Sequence, residues 1–421
     1  ADYVIILAPT VSHADTGALM NYATWGTRGW CRAERTATAL SAKEKPLLVV
    51  TGPNSIFASS GAEWIQRWPH DGNFTVEEDR TIVTTLTKQL LELKCASMLQ
   101  LGDVSRWRFY KALSVKILQS RPAWSKEQIL DSFRVSYQFA SVFFLEPGLT
   151  PLMLACIEGS TETLQLLIDS KADVNARCEL CLREAQLEGS HTALSVAAAL
   201  SSPQVIACLL DAGADRDTRD NEGNSLIGIA ALFGNHQVIP LLAEKGVSVQ
   251  TSNLRGDCPL IGAMLTQNAE VLRVLLDHQA NPNVKSNFGQ TPLSMCAMQG
   301  LVHAAAYLLE AGADVTGDLA RSDSQQVKRR ESLTFGSLAK SAGSGSSGSD
   351  LTVEEILAGT PLHLAALHGN WPMAQLLLRY NADPLDVGNL ASTPIDLAQD
   401  YGQSDLLSKL TAVAPTDYFF T

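Results

Sequence analysis

Four residues near the start of the chain have side chains that could take part in catalysis. Cys31 and Glu34 lie three residues apart, and His13 and Asp15 precede them. A cysteine becomes a nucleophile when a histidine within hydrogen-bond reach takes its proton, and a carboxylate can act as a general acid or base. A Cys–His nucleophilic site is therefore one hypothesis for this stretch, and a purely structural role for the same residues is the other.

Two further patterns of short spacing carry chemistry. Cys178 and Cys181 form a Cys-x-x-Cys pair with His191 nearby. A structural zinc site takes four ligands, and no second pair stands at a suitable spacing, so we predict reduced cysteines without a metal.

The run 328–332 (KRRES) matches the Arg-Arg-x-Ser pattern that basophilic kinases favour. It makes Ser332 a candidate phosphorylation site, with a solvated basic run as the alternative.

The composition is that of a folded protein of two or three units. Of the 421 residues, 46% are apolar and 18% are charged. The net charge of −12 argues against nucleic acid as the main partner. The eight cysteines are spread along the chain, which favours the cytosol, or alternatively the nucleus, over an oxidising compartment. No membrane span, signal peptide or bound cofactor is predicted, and because residue 1 is Ala we expect a processed chain or a fragment.

The second half of the chain repeats with a period of 33 residues. Seven copies align on the Thr of a Thr-Pro-Leu pattern, at Thr150, Thr192, Ser225, Cys258, Thr291, Thr360 and Thr393. Every step is 33 residues except the first, of 42, and one of 69, which place insertions at 177–189 and 318–358. This pattern resembles ankyrin repeats, whose period is 33 with Thr-Pro-Leu-His-x-Ala at the first helix. The resemblance covers residues 147–413 and leaves a tail at 414–421.

The residue types within each copy predict two helices and a turn. Thr can cap the first helix, Pro fits its first turn, and Gly234 and Gly300 stand where that helix ends. No single copy can bury its own apolar face, so we expect an all-α solenoid. The resemblance implies a protein-binding adaptor or scaffold, with the partner on the concave face.

We predict a partner-binding stripe on that face. The residue that follows the small pair of each first helix points towards the concave side in ankyrin folds. Those residues are apolar: Ile157, Ala199, Leu232, Leu265, Met298 and Leu367, with Phe233 beside Leu232. The loop tips beside the stripe, which include Arg255, Phe288 and Leu390, are predicted to form its rim. The alternative is that these side chains are half-buried between neighbouring helices.

The N-terminal part is predicted to be a small α/β domain. Residues 3–9 and 45–53 form apolar, β-rich runs with a helix-compatible stretch between them, which indicates a parallel sheet. Helices are predicted from a capping box at Thr75–Glu78 to about Leu99, over Ser105–Leu118, and from about Lys126 to Phe139. We therefore expect an α/β domain over 1–118 and a helical linker over 119–146.

The stretch Trp30-Cys31-Arg32-Ala33-Glu34, followed by a strand at Leu47–Val50, is similar to part of a TIR domain. That resemblance implies a TIR- or flavodoxin-like fragment in a signalling protein, with Glu34 in the position of the catalytic acid of NAD-cleaving members. The loop from Pro9 to Trp30 is longer than in that family. The alternative is that this stretch only begins a helix and that Trp30 anchors it in the core. We therefore rank an adaptor first, and an NAD-cleaving or nucleotide-binding enzyme second.

Overall fold

The computed structural model falls into two compact units, each of which is described by itself. Unit 1 comprises residues 1–5, 24–47 and 58–278, and unit 2 comprises residues 6–23, 48–57 and 279–421. The residues that the structure describes are 4–7, 11–12, 19–20, 28–40, 47–52, 55–58, 68–74, 76–118, 126–139, 148–182, 187–266, 268–286, 290–316, 359–388 and 392–413. The predicted insertion 318–358 and Ser332 lie outside these ranges, as do His13, Asp15 and the tail 414–421.

Five short strands occupy the first 58 residues. They are β1 (Val4–Leu7), β2 (Val11–Ser12), β3 (Leu19–Met20), β4 (Leu47–Gly52) and β5 (Ser55–Ala58). β2 and β3 form an antiparallel pair, and a separate sheet has the order β1-β4-β5. Only two residues separate β4 from β5, and a parallel pair would need a crossover of a dozen residues or more. β4 and β5 are therefore joined as a hairpin would be, and the parallel TIR-like sheet expected from residues 3–9 and 45–53 is not shown.

Helix α1 (Gly29–Ala39) begins at the stretch that resembled the TIR motif. Its first residue is held by the segment before the next helix, because the backbone N–H of Gly29 donates to the carbonyl oxygen of Asn73 at 3.0 Å. A Cβ on Gly29 would lie 1.9 Å from the ring of Phe74, so this contact requires glycine. The prediction of a helix start is confirmed.

Trp30 is not a core residue, which corrects the structural interpretation of this stretch. Its side chain is 42% exposed, and its indole Nε1–H donates to Oδ2 of Asp79 at 2.8 Å. The buried contact at this point belongs to Gly29 instead, and a residue one position along a helix faces a different direction. Trp30 therefore links α1 to the start of the next helix at the surface.

Three helices follow: α2 (Glu78–Gln100), α3 (Val104–Leu118) and α4 (Lys126–Ser136). All three were predicted, but α2 begins at Glu78 and its N-cap, Glu77, makes no side-chain capping bond. The guanidinium of Arg108 in α3 donates to the carbonyl oxygens of Tyr137 and Gln138, at 3.0 and 3.1 Å, just beyond the end of α4. This buried arginine fastens α3 and α4 together as a pair.

The α3–α4 pair occupies the place of an additional repeat at the start of the array. α3 packs on α5 (Pro151–Glu158), the first helix of the first repeat, and α4 packs on its second helix, α6 (Thr161–Asp169). Neighbouring repeats make the same two kinds of contact. The boundary predicted at residue 118 therefore divides two helices that act together.

The remaining repeats of unit 1 each contain two short helices. The repeat helices are α7 (Ala193–Leu200), α8 (Pro203–Asp211), α9 (Leu226–Phe233), α10 (Ile239–Glu244), α11 (Pro259–Thr266) and α12 (Ala269–Asp277). First helices pack in the order α5, α7, α9, α11, and their small residues, such as Ala197 and Ala230, are fully buried at these contacts. Thr150 and Ser225 cap their helices by accepting from the backbone N–H three residues on, as predicted.

The insertion at 177–189 is a β-hairpin rather than a plain loop. Strand β6 (Cys178–Leu182) pairs antiparallel with β7 (Leu187–His191), and Cys178 stands opposite His191. Cys178, Leu180 and Leu182 are all buried, which is the period-2 alternation of a half-buried strand. The sequence carried this signal in "CELCL", where apolar residues alternate with others.

Unit 2 contains three further repeats. Their helices are α13 (Pro292–Gln299), α14 (Val302–Glu310), α15 (Pro361–Leu367), α16 (Trp371–Arg379), α17 (Pro394–Asp400) and α18 (Ser404–Val413). Thr291, Thr360 and Thr393 each form a capping box with the residue three positions on. α15 packs between α13 and α17. Among the described helices of the chain, none combines the length and the apolar character needed to cross a bilayer.

Candidate functional site

The main candidate site is an open cleft in unit 1 between the repeats that begin at Ser225 and Cys258. The empty space there is about 430 Å³ when the open solvent above it is included. The helices α9 and α11 form its floor, and the loops that precede them form its walls. We call it the Gly228–Gly262 cleft, and its lining residues are Glu222, Asn224, Ser225, Gly228, Leu232, Thr251, Asn253, Arg255, Asp257, Cys258, Pro259 and Gly262.

Two helices in succession have a glycine at the cleft: Gly228 leaves space where a side chain could stand, and Gly262 lies against Leu232. Gly228 occupies the third position of α9. The other described first helices that follow the pattern have larger residues there, namely Met153, Ser195, Ile261, Ser294, His363 and Asp396. On α11, Ile261 has the position equivalent to Gly228, and Gly262 stands one position later. A Cβ on Gly262 would lie 3.3 Å from Cδ2 of Leu232. Leu232 thus lies over Gly262 and forms one wall of the cleft.

The loops that wall the cleft are fixed by side-chain to backbone hydrogen bonds. One carboxylate oxygen of Asp220 accepts from the backbone N–H groups of Glu222 and Asn224, at 3.0 and 2.8 Å. In the next repeat, Oδ1 of Asn253 accepts in the same way from Arg255 and Asp257, both at 2.9 Å. These local turns hold the charged residues at defined positions before any ligand arrives.

Two direct bonds join one loop to the next. The amide Nδ2 of Asn253 donates to Oδ1 of Asn224 at 2.9 Å, and the backbone N–H of Leu254 donates to the carbonyl oxygen of Glu222 at 2.9 Å. Leu254 lies at the tip of this arrangement with 77% of its side chain exposed. An apolar side chain held in water beside a cleft is a feature of interaction surfaces.

The charges that line the cleft are two carboxylates and one guanidinium. Arg255 forms an ion pair with Glu222, and both side chains are at least half exposed. Burial raises the pKa of the Asp257 carboxyl, Arg255 lowers it, and Glu222 raises it further. Burial and the neighbouring carboxylate together outweigh the guanidinium, so the negative charge of Asp257 is only partly compensated.

The predicted apolar stripe is only partly exposed. Ile157 and Ala199 are fully buried, and Leu367 is 8% exposed. These three side chains are therefore more buried than either the exposed stripe or the half-buried alternative predicted. The helix that carries Ile157, α5, packs between α3 and α7. Leu232 and Met298 are half-buried and retain accessible surface. The side chain of Leu265 lies outside the described set.

The residues predicted to lie beside the stripe also differ in exposure. Phe233 is 5% exposed and belongs to the core. Arg255 is exposed at the mouth of the cleft. Phe288 and Leu390 lie outside the described residues. Of the predicted partner-binding residues, the structure therefore brings Leu232 and Arg255 together in one site.

Glu34 stands apart from this cleft on helix α1. Its side chain is exposed, and Cys31, one turn earlier, is half-buried. Burial and the nearby Glu34 raise the pKa of the Cys31 thiol, the opposite of what activates a cysteine nucleophile. Burial likewise raises the pKa of the Cys178 thiol, and no group of three or more potential metal ligands occurs among the described residues.

Sequence reasoning missed Asp257, Gly228 and Gly262. The signal for Gly228 was present in the sequence, because glycine replaces the histidine of the Thr-Pro-Leu-His pattern in that copy. The site was therefore indicated by a residue that differs from the repeat pattern, and not by the residues that match the pattern. Asp257 had no such signal, since an acidic loop residue is ordinary in any repeat.

Comparisons with known proteins find ankyrin repeats in three segments of the chain. Family models match residues 147–179 (ankyrin repeat), 227–318 (ankyrin repeats, 3 copies) and 354–398 (ankyrin repeats, many copies). No curated protein matches the sequence. Similar solved structures include the ankyrin repeat domain of human ASB11, at 20% identity and a TM-score of 0.45, which covers 62% of this chain and 98% of that one. Another is the ankyrin repeat domain of Bcl-3, "a unique member of the IkappaB protein family", at 20% identity and a TM-score of 0.46, with coverage of 62% and 100%.

Proposed function

Because the chain contains ankyrin repeats, we propose that it is an adaptor or scaffold that binds a partner protein, and that the partner docks at the Gly228–Gly262 cleft of unit 1. The family resemblance predicted from the sequence is confirmed by the matches over three segments. Ankyrin repeats generally bind proteins, but the repeat is a binding format and does not specify the partner. The location of the site therefore rests on the features of this chain.

The observation that carries the proposal is the helix-interior glycine at position 228. A glycine in a helix costs about 1 kcal/mol relative to alanine, and α9 and α11 each contain one. A Cβ at Gly228 would meet no atom closer than 3.5 Å, so packing within the chain does not require glycine there. The space that it leaves free supports a role in receiving a group from another molecule.

The rest of the surface around the cleft suits a protein partner better than a small molecule. Small-molecule sites enclose most of their ligand, whereas the space of this cleft includes open solvent. Leu254 and Arg255 project beside that mouth, and apolar and arginine side chains are common anchors at protein interfaces. Leu232 adds an apolar wall.

A site-specific cross-linking experiment tests this proposal. In one variant of the full chain, a photo-reactive amino acid replaces Leu254. In a second variant of the same chain, the photo-reactive amino acid replaces Gln237, which is exposed just before α10. After irradiation in cell extract, cross-linked proteins are identified by mass spectrometry. We expect a discrete cross-linked protein from position 254 and none of the same identity from position 237.

The variant Gly228→Leu then separates cleft binding from general stickiness. It places a larger side chain in the cleft, and the thermal melts of this variant and of Gly228→Ala are compared with that of the original chain, so that loss of binding is distinguished from loss of folding. The cross-link from position 254 is expected to disappear in this variant. If it persists at equal yield, the partner does not use the cleft and the proposed site is wrong.

The runner-up function, an NAD-cleaving or nucleotide-binding enzyme, stays a hypothesis. It depends on Glu34 as the catalytic acid, and the Glu34 side chain is exposed on α1. A catalytic carboxylate works in a closed, preorganised site. No observation in the described part of the chain favours this alternative over the adaptor.

A further inference from the structure

We propose that the Gly228–Gly262 cleft selects a positively charged side chain, Lys or Arg, from an extended segment of the partner protein. This inference rests on the proposed function, because it names the chemistry of the group that the cleft receives. Three observations lead to it: the balance of charge in the cleft, the exposure of the ion pair between Arg255 and Glu222, and the residues that form the floor and the apolar wall.

The charge balance of the lining is negative. Glu222 and Asp257 contribute two carboxylates, and Arg255 contributes one guanidinium. Behind the wall, Asp220 adds a further negative charge, and its oxygens are already engaged by Asn224 and by the backbone N–H of Glu222. A cation placed in the cleft would therefore meet an attractive field, and an anion would meet a repulsive one.

The nearby cations do not neutralise this field inside the cleft. Arg219 points its guanidinium at the carbonyl oxygens of Gly223 and Ser252, at 2.9 and 3.4 Å, and is not part of the lining. Arg255 pairs with Glu222 at the mouth, where side chains are 64% and 50% exposed. Exposed ion pairs of this kind contribute little to stability. Arg255 can therefore give way, and an incoming cation can take up contact with Glu222.

Asp257 is the carboxylate that gains most from such a ligand. It is half-buried, and burial outweighs Arg255 in raising the pKa of its carboxyl. Its backbone is fixed by Asn253, which both receives from its N–H and donates to its carbonyl oxygen at 2.9 Å. A partly desolvated carboxylate in a fixed position is a strong partner for an ammonium or guanidinium group.

The shape of the cleft suits a long, narrow side chain. Its floor is bare helix at Gly228 and Gly262, and its wall at Leu232 is apolar. Lys and Arg place an aliphatic stem along apolar surface and carry the charge at the end. The stem would lie along Leu232 and the glycines, and the charged end would reach Asp257 and Glu222. The exposed Leu254 would contact the neighbouring residue of the partner segment.

The test uses defined peptide pools and the full-length protein. Pools with a random sequence around one fixed central residue carry Arg, Lys, citrulline, norleucine or Glu at that position. Citrulline has the shape of arginine without its charge, and norleucine has the length of lysine without its charge. Binding of each pool to the protein is measured by fluorescence anisotropy, and again at raised salt, which screens exposed charges.

We expect the Arg and Lys pools to bind about tenfold more tightly than the citrulline and norleucine pools, and the Glu pool to bind least. Asp257→Asn is expected to remove most of this preference. The matched control is Asp277→Asn, an exposed carboxylate at the end of α12, which should leave the preference unchanged. Asp257→Asn preserves the fold, because it removes a carboxylate that burial disfavours and keeps the backbone bonds.

The outcomes also separate this inference from the proposed function. Equal binding of charged and uncharged pools that Gly228→Leu abolishes would leave the cleft as a protein-binding site and overturn the choice of a cation. A preference for Arg or Lys that survives Asp257→Asn or Gly228→Leu would mean that cations are recognised elsewhere, and it would overturn the inference. Absence of binding by every pool would count against it as well.

Discussion

The Nε2 atom of His363 lies 2.8 Å from the backbone carbonyl oxygen of Ser392, across the step from one repeat of unit 2 to the next. The other ring nitrogen, Nδ1, accepts from the backbone N–H of Thr360 at 3.2 Å. Together these contacts define a neutral imidazole with its proton on Nε2. The histidine thus both caps its own helix, α15, and holds the segment that leads to α17.

This arrangement predicts that unit 2 loses stability in mild acid. Burial holds the pKa of His363 below its ordinary value of 6.5, although the bond to Ser392 and the nearby Asp386 and Asp396 act in the opposite direction. Between about pH 6.5 and the folded-state pKa, the unfolded chain binds a proton that the folded chain does not. The free energy of unfolding therefore falls as the pH is lowered through this range, and chemical denaturation at several pH values measures it.

The variant His363→Ser should weaken that pH dependence. Serine already occupies this position in two other capping boxes, at Ser195 and Ser294, so the helix start is retained. Burial also lowers the pKa of His368, so part of the slope will persist. His303→Gln, at an exposed position in α14, is the control. An unchanged slope in His363→Ser would contradict the assignment.

In unit 1, Lys116 is predicted to make the free energy of unfolding depend on pH in the alkaline range. This lysine, at the end of α3, donates to the carbonyl oxygen of Leu200 at the end of α7, and burial lowers its pKa to about 8. Above that pH the folded chain has released a proton that the unfolded chain keeps until about pH 10.4. The contribution of Lys116 therefore raises the free energy of unfolding with pH, by about 3 kcal/mol in total.

Comparison with Lys116→Met isolates this contribution, since the other alkaline groups are common to both proteins. We expect the difference in unfolding free energy between the original chain and the variant to change steadily from pH 8 to pH 10, in favour of the original chain. A difference that is constant over that range would show that the lysine is not desolvated as the structure indicates.

Two glycines of one helix should respond oppositely to alanine. Gly228 has helical backbone and free space around it, so Gly228→Ala is expected to stabilise the chain by about 1 kcal/mol and raise the melting temperature. Gly234 ends the same helix with a φ of +75°, a left-handed conformation in which a Cβ is strained. Gly234→Ala should therefore lower the melting temperature. If both variants move it in the same direction, Gly228 is not free of packing constraints.

We expect no cleavage of NAD by the full chain. The reason is the exposed position of Glu34 on α1, outside any enclosure among the described residues around it. Nicotinamide release is followed by chromatography after incubation of the purified protein with NAD. Release that disappears in Glu34→Ala, but not in the exposed-site control Glu92→Ala, would reverse the ranking of adaptor over enzyme.

The sequence predicted the repeats well because each one satisfies the same local rules. Threonine caps, glycine ends and small residues at helix contacts act within a few residues, so they are visible without a structure. Burial of the predicted stripe was not visible in this way. Ile157 and Leu232 have the same position in their repeats, and both of their helices have a neighbour on each side, yet Ile157 is fully buried while Leu232 lies over Gly262 and keeps accessible surface. What decides exposure is the neighbouring element, which the local pattern does not encode.

The same limit explains the α3–α4 pair and the hairpin. Arg108 reaches carbonyl groups about thirty residues away, beyond the end of α4, and no periodic signal marks such a contact. The alternation in β6 was visible but lay within a segment that the repeat spacing designated an insertion. Trp30 was expected to anchor the helix start in the core, whereas Gly29 takes the buried position and the indole of Trp30 donates to Asp79.

The α3–α4 pair also determines where the chain first opens. In a stack whose parts contact only their neighbours, an end repeat is held on one face and exchanges its amide protons first. The first repeat of unit 1 is not such an end, because α3 and α4 cover it with the fully buried Phe109, Tyr110 and Phe133. In unit 2, the buried residues of α18 are Leu406 and Leu410, and α18 packs on α17 of its own repeat. Amide exchange should therefore be faster in α18 than in α5.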